Sequence, residues 1–234
     1  MKLIKLPIIT LLLLSVPLVS GFCGGNTDSG ASAKNNAAEN VNSVPKARRG
    51  QVVYMEGEVW IDGAVAQIGT ELPAKASIRT GPASYCDIVF DGKNAVRITQ
   101  NAQAALDFGA SPIDVQLEKG GVTSVLRKLA AVSGSDSFRI RTMSAVAGVR
   151  GTSFCVWSDG KETYICACNG TVRTIDAKGG NEFILAAAHH TATVYTPAGE
   201  SYSAQAAGML HHTDESVESV AARIGEKIDW TKVD

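Results

Sequence analysis

The sequence predicts an all-β domain, an antiparallel sandwich or roll, with a single amphipathic helix near its C-terminus. Three observations lead there. From Gly50 onward, short apolar runs alternate with polar positions at the two-residue period of half-buried strands. Turn-forming pairs recur through the same region: Asp62-Gly63, Asp91-Gly92, Gly120-Gly121, Asp159-Gly160 and Asn169-Gly170. Asn-Gly and Asp-Gly reach positive φ at low cost, as tight hairpins require. Near the end of the chain the apolar period changes to that of a helix.

Residues 1–5 carry two lysines, residues 6–19 are almost wholly apolar, and small Ser20 and Gly21 follow. That pattern predicts an export signal over residues 1–22, too short for a spanning helix. The expected destination is the periplasm or cell envelope. Cys23 stands where a lipid-modified cysteine would stand, although Phe22 is larger than the residue usual before one. Residues 23–49 are rich in Gly, Ser, Asn and Ala and bury too little to offset ordering, so a flexible linker or lipoprotein tether is expected. The remainder is long enough for one well-cored domain. With 22 basic against 23 acidic residues, nothing asks for a nucleic-acid partner.

Strands are expected at "GEVWIDG", "SYCDIVF", "AVRIT", "AALDF", "IDVQLE", "FRIRT", "SFCVW", "TYICAC" and "TVRTI". A stretch around residues 125–131 has a period that fits a helical turn equally well. In "HTDESVESVAARIGEKIDW", Val217, Val220, Ala221 and Ile224 fall on one helical face. Thr213 is the expected N-cap, Asp214 and Glu215 suit the first turn, and Gly225 suits the stop, giving a helix at about 214–225 packed on the β body.

Two stretches resemble landmarks of the FecR-like domain: "GEVWIDGAVAQIGTELPAKASIRTGPASYCDIVFDGKNAVRI", and "FRIRTMSAVAGVRGTSFCV" with its Val149, Arg150, Gly151 and Thr152. The resemblance covers roughly residues 50–176 and implies the fold above and a sensing or binding role. Family members include periplasmic regulators that relay signals to a sigma factor. Only five residues precede the apolar run here, so the cytoplasmic segment of such a regulator is not expected. Residues 177–234 form an extension similar to that of other exported FecR-like proteins. Arg150 and Gly151 read first as a turn, with the arginine tied to a carboxylate or carbonyls.

The chemistry-bearing residues gather late in the chain. Cys166 and Cys168 in "TYICACNG" share one face of a strand. A two-residue loop at Asp159-Gly160 sets Cys155 opposite Tyr164; a four-residue loop over 159–162 sets it opposite Cys166. Either way the three thiols share a face. The four histidines come as two doublets, His189-His190 and His211-His212. Three readings stand. A disulfide would join Cys155 and Cys166 in an oxidising compartment. Inert packing would treat the thiols as small apolar groups. A metal site would use Cys166, Cys168, His190 and His212, with Cys155, His189 and His211 as alternates and Asp214 orienting an imidazole from behind. Two sulfurs and two nitrogens suit zinc or iron. Cys86, alternating with Ile88 and Phe90, is expected in the core.

No Gly-x-Ser-x-Gly, His-Glu-x-x-His, phosphate loop or dinucleotide fingerprint is present. The reading is a non-enzymatic exported binding or sensing module, anchored at the membrane if Cys23 carries lipid. The rival is a disulfide-held envelope scaffold engaging a protein partner.

Overall fold

The structure, a computed structural model, describes residues 49–127 and 136–233. The expected export signal, the linker and Cys23 lie outside the described residues.

Among the described residues sixteen strands and one helix follow in order. They are β1 Gly50–Glu56, β2 Val59–Ile61, β3 Ala64–Val65, β4 Glu71–Leu72, β5 Lys75–Thr80, β6 Tyr85–Phe90, β7 Asn94–Ile98 and β8 Gln103–Asp107. Then come β9 Ile113–Leu126, β10 Phe138–Arg141, β11 Ala145–Val149, β12 Ser153–Ser158, β13 Thr163–Asp176, β14 Phe183–Ala187, β15 Thr191–Ala198, β16 Ser201–Ala207 and α1 Asp214–Ala222. The all-β class with one C-terminal helix holds. Every pairing among the described strands is antiparallel except β9 with β10, which run parallel from Phe138 opposite Ile113.

Two of the expected turns are not turns. Gly120-Gly121 lies inside β9 and Asn169-Gly170 inside β13, each strand 14 residues long. At these glycines the strand bends and changes sheet. The first half of β9 pairs with β8 and β10, the second with β7 and β12. Likewise β13 pairs first with β12 and β15, then with β11 and β14. Gly120 has φ +84 and Gly170 φ +115, and a Cβ on Gly120 would meet Ala102 at 2.4 Å. Positive φ serves a sheet-to-sheet corner as well as a hairpin. Val125 and Leu126, offered above as a helical turn, are strand; residues 128–131 lie outside the described residues.

The alternation of side chains builds two cores. Inward-facing residues such as Val96, Phe154, Val156, Ile165 and Ala167 join the main core between the sheets. Their neighbours Ala95, Cys155, Tyr164, Cys166 and Cys168 point to the opposite face and form a second, smaller core. Helix α1 caps that second core with Val217, Val220 and Ala221, all fully buried. Each valine removed from water contributes about 1.5–3 kcal/mol. The helix begins as its sequence requires: the Thr213 hydroxyl accepts from the Ser216 amide, and the Ser216 hydroxyl accepts from the Thr213 amide. Cys86 is fully buried in the main core, and burial pushes its thiol up to about 12.

Candidate metal centre

The hairpin between β12 and β13 uses a four-residue loop. Ser158 pairs with Thr163 and Cys155 lies directly opposite Cys166. The register then slips by one between Ser153 and Phe154, leaving Cys168 as the extra residue of a β-bulge. A bulge re-aims the side chain that it carries. The thiol of Cys168 contacts Cys155, Sγ to Sγ 3.5 Å, and all four described cysteines are free thiols.

Two loops bring histidines to this face. Between β14 and β15 the chain turns through His190 at φ +52, and the His190 amide donates to the carbonyl of Cys168 at 3.0 Å. After β16 the chain turns through His211 at φ +60. The Tyr164 hydroxyl fixes this second loop by donating to the Gly208 carbonyl and accepting from the Leu210 amide. Left-handed backbone at non-glycine residues is costly and is kept only where the surroundings enforce it. In each doublet that residue decides which ring turns inward. His190 and His212 do; His189 stays exposed and His211 lies flat on Trp157, ring centroids 3.9 Å apart.

The ligand atoms of Cys166, Cys168, His190 and His212 all lie within 4.8 Å of one another. Cys166 Sγ is 3.5 Å from His190 Nδ1, Cys168 Sγ is 3.4 Å from His212 Nε2, and the two ring nitrogens are 3.2 Å apart. A tetrahedral ion with zinc-type bonds of about 2.3 Å to sulfur and 2.0–2.1 Å to nitrogen sets S···N near 3.5 Å and N···N near 3.3 Å. These three of the six ligand–ligand spacings match that tetrahedron.

The outer faces of the rings decide their tautomers. His212 Nδ1 lies 2.6 Å from the Leu210 carbonyl, and His190 Nε2 lies 2.7 Å from Asp214 Oδ1. Carbonyls and carboxylates only accept, so both outer nitrogens donate. In the neutral rings both inner nitrogens then present lone pairs to each other and to the sulfurs, an arrangement that calls for a cation. Asp214 also accepts from His189 Nε2 at 2.8 Å, so its carboxylate brackets one doublet at the first turn of α1. Burial pulls His212 down, but the neighbouring thiols of Cys155 and Cys166 prevail and carry it up to about 10, so with no cation bound its inner nitrogen holds a proton facing the sulfurs. The hydrogen bond from Cys168, ahead of burial acting the other way, brings Cys166 down to about 4, while burial and the neighbouring sulfurs of Cys155 and Cys166 hold Cys168 well above the usual thiol value. Thiolate is the form of sulfur that binds metals.

Sequence reasoning did not reach Tyr164, the Leu210 carbonyl or the bulge at Cys168. Tyr164 was within reach, since it shares the alternating face of Cys166 and Cys168. Arg150 is exposed and makes no ion pair with a described residue, so the expected tie is not found; the landmark is held instead by Thr152, whose hydroxyl bridges to the Gly151 and Thr171 carbonyls.

Residues 76–173 match the family model "FecR protein", so that segment is similar to a FecR domain. That segment includes both cysteines of the cluster and stops before both histidine doublets. Two crystal structures described as a candidate anti-sigma factor from Parabacteroides distasonis ATCC 8503 are similar to this chain. One is 14% identical over 63% of this chain and 63% of its own, with a TM-score of 0.44. The other is 14% identical over 62% of this chain and 63% of its own, with a TM-score of 0.43. No curated protein matches the chain.

Proposed function

We propose that the protein is an exported, non-enzymatic binding or sensing module of the cell envelope whose C-terminal extension holds a transition metal, zinc or iron, through Cys166, Cys168, His190 and His212. One observation carries the metal reading: four soft and borderline donors converge at tetrahedral spacing, with the far side of each imidazole already engaged as a donor. Four protein ligands leave no open coordination position, which favours a closed site over a catalytic one. The FecR match supports a regulatory role for the β domain. Export is inferred from residues 1–22. The partner is a protein of the envelope, and membrane attachment would run through Cys23.

The experiment is elemental analysis of the exported protein, purified without affinity-tag histidines. Near-stoichiometric zinc or iron, lost in Cys166→Ser and Cys168→Ser, supports the site. A metal-free protein whose thiols titrate only after reduction would overturn it in favour of the disulfide-held scaffold, for which the facing positions of Cys155 and Cys166 speak.

A further inference from the structure

Cys155 is a third thiol at this site that the four-ligand set does not use. It projects from β12 onto the same face, with its sulfur 3.5 Å from Cys168 Sγ and 3.4 Å from Thr123 Oγ1. Although Cys155 is opposite Cys166 in register, the sulfur of Cys166 faces His190. The bulge turns Cys168 towards Cys155 instead. Cys166 and Cys168 are two apart on one strand, near the upper limit for a disulfide.

We infer that Cys155 and Cys168 are a redox pair that releases the metal when a small peroxide oxidises Cys168. The inference rests on the metal reading above. The sulfur of Cys168 attacks one peroxide oxygen and breaks the O–O bond, giving a sulfenic acid and hydroxide. The sulfur of Cys155 then attacks the sulfenic sulfur. An S–S bond forms, the S–O bond breaks, and the departing hydroxide takes the Cys155 proton as water. Two sulfurs lose two electrons in all, and one peroxide is reduced to one hydroxide and one water. Cys168 no longer offers a thiolate, three ligands remain, and the ion leaves. Burial selects the oxidant class. Cys155 is 4% exposed and Cys168 0%, so a small uncharged peroxide has access that a bulky disulfide reagent lacks.

The test loads the protein, Cys155→Ser and Cys155→Ala with one equivalent of zinc, then adds hydrogen peroxide beside a chromogenic zinc chelator. Non-reducing peptide mass mapping completes it. The wild-type protein is expected to release zinc and to show a Cys155–Cys168 disulfide that a dithiol reverses. The variants are expected to bind zinc equally and to stop at a sulfenic acid on Cys168 that dimedone labels, with no disulfide. No Cys155–Cys168 bridge in the wild-type protein, equal dimedone labelling of wild type and variants, or a map joining Cys166 to either neighbour, would overturn the inference. So would loss of zinc binding in both variants, which would make Cys155 a ligand or a packing element. If the wild-type protein takes up no zinc, the metal reading fails first and this inference falls with it.

Discussion

Asp214 shows how one carboxylate sets the chemistry of a neighbour. It holds the outer nitrogens of His189 and His190 at 2.8 and 2.7 Å and so aims His190 Nδ1 at the sulfurs. Asp214→Asn is expected to weaken the proposed zinc binding about 10–100-fold in chelator competition; an unchanged affinity would reduce Asp214 to a helix-start acid. His189→Ala should cost far less, because its ring faces solvent. A second carboxylate acts through pH. Burial would raise Asp114, but hydrogen bonds from Arg141 and Arg139 prevail and hold it below the usual range. A depressed folded value contributes stability above the unfolded value of about 3.9, lost as pH falls through the folded one. Asp114→Asn should therefore lower urea stability at pH 7 and flatten its decline below about pH 4. A parallel loss at all pH values would show that the charge is not what matters. At this scale the sequence was informative about residue types and poor on choice within each doublet. The spacing of Cys166 and Cys168 put both thiols on one face. Nothing local could say that His190 and His211, of the four, would take the left-handed backbone that turns one ring in and its neighbour away.

Helix α1 is attached at both ends. Its start carries Asp214, and just beyond its end Arg223 donates to Asp87 at 2.8 Å. Asp87 is fully buried on β6 and also accepts two hydrogen bonds from Arg97, at 2.6 and 2.8 Å. Asp87→Ala would strand the largely buried guanidinium of Arg97 and is expected to destabilise the protein by about 3–5 kcal/mol in denaturant unfolding. Arg223→Ala should cost less, since that side chain is partly exposed. Similar losses for the two would mean that the helix contact, not the buried charge, dominates. The helix and the strands flanking Asp-Gly turns were legible because a 3.6 or a 2 period is strong where large apolar residues mark it. Strands β14 to β16 were not, since "FILAAAHHTATVYTPAGESYSAQAA" is dominated by Ala, Ser and Thr, whose alternation barely differs in hydropathy. The glycine corners in β9 and β13 were misread as turns because glycine marks positive φ alike in a hairpin and in a strand that bends and continues.

The molecule as a whole is a two-sheet body with an added outer layer. The main core closes without any residue of α1, whereas the second core gathers β-strand residues, the cluster cysteines and the helix. Asn169 ties this layer together, its amide group donating to the carbonyls of Ala188, Asp229 and Lys232. Removing the proposed metal should therefore loosen the layer and not the body. Under a strong chelator, hydrogen exchange is expected to accelerate over residues 213–223 while amides of β5 to β8 keep their protection. Acceleration across both would show that the two cores open together. The tryptophans divide along the same line. Trp60 lies under Arg79, its ring centroid 3.7 Å from the guanidinium carbon, in a part of the fold that supplies no ligand. Trp157 is stacked on His211, and Trp230 sits 5.0 and 5.3 Å from His189 and His190. Two indoles thus face the histidine doublets while a third serves as an internal reference. A change of charge at the histidine doublets is therefore expected to register in the protein's own fluorescence, a built-in optical gauge with no label attached.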